Sequence, residues 1–528
     1  MTRPSDTSSG LRPAGMSAAT FARALRALEQ AVGADHVFAA ETDRYAYADH
    51  FAGDESLHQP CGAVAPANTA EVQAVVRIAN EFGLPLWTIS RGKNFGYGGP
   101  APALKGSMVL DLSRMKRFTV DRENGTVLVE PGVGFYDLYD YLQREKIPLW
   151  LSVPGNSWGS VAGNALDRGV GYTTYGDHAA RICGLEVVLP EGDVVRTGMG
   201  AMSGSPNWQL YRPGFGPSWD AMFCQSNFGV VTQMGLWLMP APETMLGLDF
   251  EFDQPEDLGW VVDTLAPLRR EGVIQQSPSI GNWLRAAAVM TTRNQWTDQP
   301  GLLPESAITA IRKRFGIGWW SVQLRFYGRD EITTASQQVV ERAFANKPVL
   351  SVKKSRWQEG DAPQQNAWAG APISFPLANA NWHGGRGGHV GYSPVLPPRG
   401  DLALDQFHRT AKLYADYGMD YHASFAMGER HLTNVNQVLY NKDDPEMMSR
   451  VDRFFRALVK DASAQRYGEY RTHIEYMDLV ADSYDFNGHA LRRLNERVKD
   501  ALDPRGILSP GKSGIWPAHL RPARGDRK

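Results

Sequence analysis

"VPGNSWGSVAGN", residues 153–164, is the stretch on which the possible readings of this chain divide. Inside it, Gly155-Asn156-Ser157-Trp158-Gly159 fits the G-x-S-x-G nucleophile elbow, which would make Ser157 the nucleophile of a serine hydrolase. That motif needs a strand, a strained turn at the serine and then a helix supporting an oxyanion hole. The apolar run "IPLWLSV" serves as the strand. Ser157 is succeeded by "WGSVAGNALDRGVGY", and glycines at 155, 159, 163, 169, 171 and 176 are poor helix material. The competing reading is a loop of nearly bare backbone that lies against a cofactor.

Working outward, "TAEVQAVVRIANEF" (69–82) has helical apolar spacing and leads into the strand "LPLWTIS" (84–90). The turn "RGKNFGYGG" (91–99) comes next. Its glycines at 92, 96, 98 and 99 let backbone amides approach a pyrophosphate closely. It lacks G-x-G-x-x-G, which argues against a nicotinamide Rossmann site. A third glycine-rich turn, "WHGGRGGHVGYSP" (382–394), carries His383, Arg386 and His389; no cysteine or carboxylate cluster accompanies them, so no metal is predicted. "YGEYRTH" (467–473) reads by default as a polar strand on a solvated face; buried, its Tyr and Arg donors would converge on an anion such as a phenolate. Gly506 to Ser513, "GILSPGKS", matches the P-loop pattern, but prolines and the chain end stand where a helix is required.

A chain of 528 residues calls for more than one core. A net charge of −2 argues against nucleic-acid and anionic-membrane partners, and no 18-residue apolar run is present to span a membrane. Cys61, Cys183 and Cys224 have no metal-ligand spacing, and the first residues have no apolar core of a secretory signal. A cytoplasmic location is expected. Residues 1–16 read as a disordered tail. Helices are predicted near 17–33, 134–145, 255–270, 331–346, 444–465 and 487–502, with strands near 108–113, 127–131 and 229–237 and a hairpin around Glu191-Gly192. Near residue 243 the texture changes to longer strand–helix alternation, the pattern of an α+β domain on an antiparallel sheet.

Several segments in the same order carry a resemblance: "GKNFGYGGPAP" (92–102), "VEPGVGFYDLYDYLQ" (129–143), "GNALDRGVGYTTYGDH" (163–178), "GLEVVLPEGDVVRTGMGA" (184–201), "GFGPSWDAMFCQSNFGVVTQMGLWLMP" (214–240), "GEYRTHIEYMD" (468–478) and "DPRGILSPGKSGIWP" (503–517). Together they resemble the vanillyl-alcohol oxidase and p-cresol methylhydroxylase family of flavoproteins, over about residues 40–518. The resemblance implies an α+β chain with a two-subdomain FAD domain. That domain is formed by 17–243 and by a returning segment at 479–528, with a cap over the substrate at 244–478. It implies FAD held by Gly92, Lys93, Asn94, Phe95, Gly96, Gly98, Pro154, Gly155, Asn156, Gly159, Ser160, Asn164, Tyr172, Val231 and Lys512. It also implies a covalent tether at His389, with His50 as its activator. The tyrosine tether of the methylhydroxylase branch is replaced by Ala380. Tyr97, Tyr470 and Arg471 would bind a para-substituted phenol as its phenolate, while hydride leaves the benzylic carbon and a p-quinone methide forms.

The chain also departs from this pattern. The oxidases carry an aspartate directly after the loop proline, as base for hydration; here Gly155 and then Asn156 stand there. Pro376 and Ser424 occupy the places of the methylhydroxylase pocket glutamates, which leaves His431, Glu429 or solvent as candidates for proton transfer. Gly391 replaces a bulky aromatic and predicts room for a larger para-substituent. The reading is a phenol oxidase using O2. In the competing dehydrogenase version the acceptor is a cytochrome c-type partner, and in either version a homodimer is expected.

Overall fold

Local rules account for the first elements of the computed structural model, which describes residues 11–521. Helix Thr69–Phe82 buries Val72, Val75, Val76 and Ala79, one stripe at helical spacing. Asn68 caps its start by accepting from the Glu71 amide, and Gly83 ends it at φ 65°, a left-handed conformation that suits glycine. The helix returns the chain to strand Leu86–Ile89, parallel to Met108–Asp111, which is itself parallel to Gly62–Val64. Val37–Phe38 completes this four-stranded sheet.

Among the described residues, two further sheets dominate. A five-stranded antiparallel sheet runs in the order Phe118–Asp121, Thr126–Val129, Val230–Trp237, Ile182–Val188, Val194–Arg196. The expected hairpin around Glu191-Gly192 joins its last two strands. The third sheet has eight strands in the order Ser351–Gln358, Thr244–Phe252, Trp320–Gly328, Ser279–Asn282, Ala423–Met427, Leu432–Asn441, Gly387–Tyr392, with Val395–Leu396 also paired to Leu432–Asn441. Helices Asp257–Arg270 and Gly400–Asp416 pack on it through Leu258, Val261, Val262, Leu265 and Phe407. This is the α+β architecture expected, on mainly antiparallel sheets.

The C-terminal segment is tied to the first sheet. Leu86 donates to the Ile507 carbonyl at 2.7 Å, and Leu86 and Leu508 form a parallel bridge. Lys499, fully buried in helix Phe486–Leu502, donates to Asp503 (2.7 Å) and to the carbonyls of Asn227 (2.8 Å) and Leu508 (2.6 Å). A buried ammonium is tolerable only with such a full set of acceptors. Residues 1–10 of the expected disordered tail lie outside the described residues. Residues 11–16 are ordered, correcting that expectation: Arg12 donates to the Met16 carbonyl, and Met16 packs on the first core. No described helix is long and apolar enough to cross a membrane.

Candidate active site

Two glycine-rich loops meet beside the eight-stranded sheet. The first leaves strand Leu86–Ile89, and the second leaves strand Leu149–Trp150. Asn156 joins them by donating from Nδ2 to the Lys93 carbonyl at 3.0 Å. Asn94 donates to Asp167 Oδ2 at 2.8 Å, and Lys512 reaches Oδ1 at 3.0 Å. Burial alone would raise the Asp167 pKa, but Lys512, Arg471 and these hydrogen bonds outweigh it and hold the carboxyl ionised. Lys512 is therefore not a Walker lysine. It opens the single turn Lys512–Gly514, with Ser513 at φ 54°.

The structure excludes the hydrolase reading. Ser157 is fully buried; its Oγ donates to the Pro154 carbonyl at 3.0 Å and accepts from the Ile373 amide at 3.1 Å. Both contacts are with backbone, so the hydroxyl is a loop tie with no base beside it. The expectation that no helix comes after this serine needs correction. Helix Val161–Leu166 forms because Ser160 caps it at the Gly163 amide and because Val161, Ala162 and Ala165 are buried.

The remaining loop residues fall around this junction. Gly92 (φ 62°), Gly96 (φ 79°) and Gly98 (φ 112°) take left-handed conformations. Phe95 packs between Phe51 and Trp158, with centroids 5.6 and 6.4 Å away. Gly159 faces open space, while Asn164 Oδ1 lies 2.6 Å from His178 Nδ1. Lys93 is exposed, and Val231 is buried in the core of the five-stranded sheet.

His389 lies in strand Gly387–Tyr392, is 4% exposed and meets Phe51 edge-on at 5.2 Å. A Cβ at Gly96 would approach its Nε2 to 2.5 Å, so the first loop crosses the imidazole at a position only glycine can occupy. Its Nδ1 has no hydrogen-bond partner, and burial pushes its pKa down to about 4. The imidazole is thus neutral. His50 is exposed and packs on Tyr45 at 4.9 Å. The titratable groups that act on His389 are Asp49 and His473, a buried pair with Nε2 and Oδ2 2.6 Å apart. Sequence reasoning missed this pair, whose members are 424 residues apart.

Tyr97, Tyr470 and Arg471 come together. The Arg471 guanidinium lies 3.9 Å from the Tyr97 ring centroid and 5.9 Å from that of Tyr470. Gln225 fixes this segment by donating to the Tyr470 carbonyl at 3.0 Å. Burial opposes the charge on Arg471, but Tyr97, Tyr470 and Asp167 overcome it and raise its pKa. Burial pushes Tyr470 up to about 12, against the pull of Arg471. Arg471 Nε has no partner. Segment 467–473 is not a solvated strand: it contributes one bridge, Pro394 to Glu469, and is half-buried or buried throughout. The convergent-donor alternative describes it.

Gly391 does not leave room. A Cβ there would approach Tyr97 Oη to 2.5 Å, so the tyrosine fills the space where a side chain would begin. At Gly155 a Cβ would stand 3.1 Å from Tyr172 Oη and 3.8 Å from the Pro376 ring. Ser424 is buried and accepts from Arg285 Nη1, a residue sequence reasoning did not single out. Glu429 and His431 are exposed in the turn between strands Ala423–Met427 and Leu432–Asn441 and are not brought to the Tyr97–Arg471 cluster. No group of three or more metal-ligating side chains occurs among the described residues.

Residues 60–198 match the FAD binding domain family, and residues 317–513 match the C-terminal domain of FAD linked oxidases. The chain is 37% identical to the 4-cresol dehydrogenase (hydroxylating) flavoprotein subunit of Pseudomonas putida, over 97% of this chain and 99% of that one. It superposes on the 4-ethylphenol oxidase of Gulosibacter chungangensis with a TM-score of 0.92 and 36% identity, covering 97% of this chain and 100% of the other. For p-cresol methylhydroxylase the TM-score is 0.90, at 36% identity and 96% and 99% coverage.

Proposed function

The chain belongs to the p-cresol methylhydroxylase family of FAD-dependent oxidoreductases, and on that premise we propose that it oxidises 4-alkylphenols or 4-hydroxybenzyl alcohols through a p-quinone methide. The supporting observation is the Tyr97–Arg471–Tyr470 cluster. A guanidinium held charged beside two phenolic hydroxyls lowers the pKa of a bound phenol and stabilises its anion. The phenolate oxygen then pushes electron density toward the para position as the benzylic C–H breaks.

FAD, when bound, supplies the hydride acceptor. The residues fit it: glycines 92, 96 and 98 leave backbone bare, and His389 offers a buried, unpartnered nitrogen. A neutral imidazole is the nucleophilic form, which supports His389 as the covalent tether. The buried Asp49–His473 pair, and not the exposed His50, acts on His389, Asp49 raising its pKa and His473 lowering it. The quinone methide next adds water or loses a proton to an alkene. Gly155 offers no base; Tyr172 Oη is the polar group facing that point and would hold the attacking water.

O2 is the proposed acceptor, supported by the histidine at 389 and the likeness to the 4-ethylphenol oxidase. A second reading, a dehydrogenase passing electrons to a cytochrome, is favoured by the 37% identity to the 4-cresol dehydrogenase flavoprotein subunit. A homodimer is the proposed assembly. Anaerobic flavin reduction by 4-ethylphenol, with air admitted afterwards, tests the reading. Bleaching and rapid return of the yellow colour are expected; no bleaching overturns the phenol reading, and bleaching with slow return assigns the acceptor to another carrier.

A further inference from the structure

The cap sheet presents one face to the phenol-binding cluster, and that face carries a cation without an anion. Directly paired residues of antiparallel strands share a face, as do alternate residues along a strand. Gly281 pairs with Ser424, Ser424 with Val435, and Gln437 with Gly391. His422 shares the face with Ser424, and His389 with Gly391. The face therefore runs from His389 and Gly391, where Tyr97 Oη sits, across Gln437 to His422, Ser424 and Gly281.

Arg285 lies at the far end. It belongs to the short helix Trp283–Ala287, begun by Asn282, which accepts from the Arg285 amide at 3.2 Å. A Cβ at Gly281 would stand 3.0 Å from Arg285 Cδ, so the arginine stem crosses bare backbone to reach Ser424 Oγ. None of the ion pairs found among the described residues includes Arg285, although it is half-buried. His422 lies close enough to feel its charge, is 4% exposed, and has no partner on either ring nitrogen. Asn379, which donates to Gln437 on the same face, also leaves its buried Oδ1 unpaired. A half-buried guanidinium without a carboxylate, beside an unsatisfied imidazole, is an incomplete site.

We propose that Arg285 and His422 bind a carboxylate at the end of the substrate's para side chain, so that the preferred substrates are 4-hydroxyphenyl compounds with a short acidic side chain. This deepens the phenol reading above and rests on it. Strands stand about 4.8 Å apart, which puts the Ser424 strand about 10 Å from Gly391 and the Gly281 strand about 14 Å away. That is the span of a phenol ring with a two- or three-carbon acidic side chain. The Arg285 N–H groups not used at Ser424 donate to the carboxylate, and His422 donates one ring N–H. The hydride chemistry at the benzylic carbon is unchanged.

The test compares 4-ethylphenol, 3-(4-hydroxyphenyl)propanoate and the methyl ester of that acid in anaerobic flavin reduction by the holoenzyme. The acid is expected to exceed its ester in kcat/KM by about 10- to 100-fold, the scale of one charge-assisted pair. Arg285→Leu should collapse that acid-to-ester ratio, and Arg285→Lys should restore part of it. The wild-type comparison needs no variant, so misfolding of Arg285→Leu leaves the proposal open to refutation. An acid no better than its ester, or a ratio unmoved in Arg285→Leu, overturns it. Bleaching by 4-ethylphenol but not by the acid overturns this proposal alone, whereas no bleaching by 4-ethylphenol overturns the phenol reading beneath it.

Discussion

Replacing Arg471 by alanine removes the charge that the phenolate reading requires. The guanidinium lies over Tyr97 at 3.9 Å and is held charged by Tyr97, Tyr470 and Asp167. A charge-assisted contact to an anion that develops in the transition state is worth about 2–4 kcal/mol. The expected loss in kcat/KM for a 4-alkylphenol is therefore about 30- to 1000-fold. The half-buried Asp167 also loses one of the two cations that keep its pKa low, and that unbalanced negative charge would repel a phenolate further. Stopped-flow flavin reduction under anaerobic conditions measures the rate, and flavin absorbance titration measures Kd. The methyl ethers of the same phenols cannot ionise, so their Kd should move less than about threefold. Arg471→Lys keeps the charge without the fork and should fall between. Equal losses for phenol and ether, or a fall in kcat/KM below about threefold, would refute the phenolate role.

His389→Ala should yield a flavin that separates from the chain on acid precipitation or in denaturing gels, and a flavin that stays attached would place the tether elsewhere. Gly155→Asp puts a carboxylate beside Tyr172 Oη and Pro376, so the ratio of hydrated alcohol to alkene product should rise; an unchanged ratio means another group or solvent already removes the proton. Burial pushes His178 down to about 4 and His422 to about 3, so both are neutral in the fold, while the unfolded chain takes up a proton near pH 6.5. Their stabilising contribution is complete above pH 6.5 and falls as pH drops, by about 1.4 kcal/mol per pH unit for each histidine. Urea midpoints at pH 7, 5.5 and 4.5 should decline, with a shallower slope in His178→Gln; identical slopes would show that these groups do not titrate with unfolding.

Helix Thr69–Phe82 was legible because its signals are local: an asparagine cap, an apolar stripe and a terminal glycine. Helix Val161–Leu166 was not, because propensity argues against a six-residue helix containing Gly163 and only tertiary contacts decide for it. Strand order in the large sheet was equally hidden. Ser279–Asn282 lies between Trp320–Gly328 and Ala423–Met427, and the second pairing joins residues more than a hundred positions apart. No periodicity encodes a pairing of that range. "YGEYRTH" shows the same limit from the other side, since its polarity reads as exposure and only packing reveals that it is enclosed.

In the site, residues carried by motif and resemblance, Tyr97, Tyr470 and Arg471, come together in the structure, whereas Arg285 and His422 carry no signal in the chain around them, and His473, although it closes the quoted segment 467–473, gives no hint of its pairing with Asp49. Within "NWLRAAAV" an arginine reads as the polar side of a helix. It reaches that face of the eight-stranded sheet only because Gly281 is bare and pairs with Ser424. Gly391 makes the complementary point. A glycine reports that its own Cβ is missing, not that the space is empty, and here Tyr97 Oη occupies it. On the phenol reading, selectivity for the para side chain then cannot come from volume at Gly391. Under the carboxylate proposal it comes from charge instead, because the face that carries Gly391 leads across Gln437 to Ser424 and ends at Arg285.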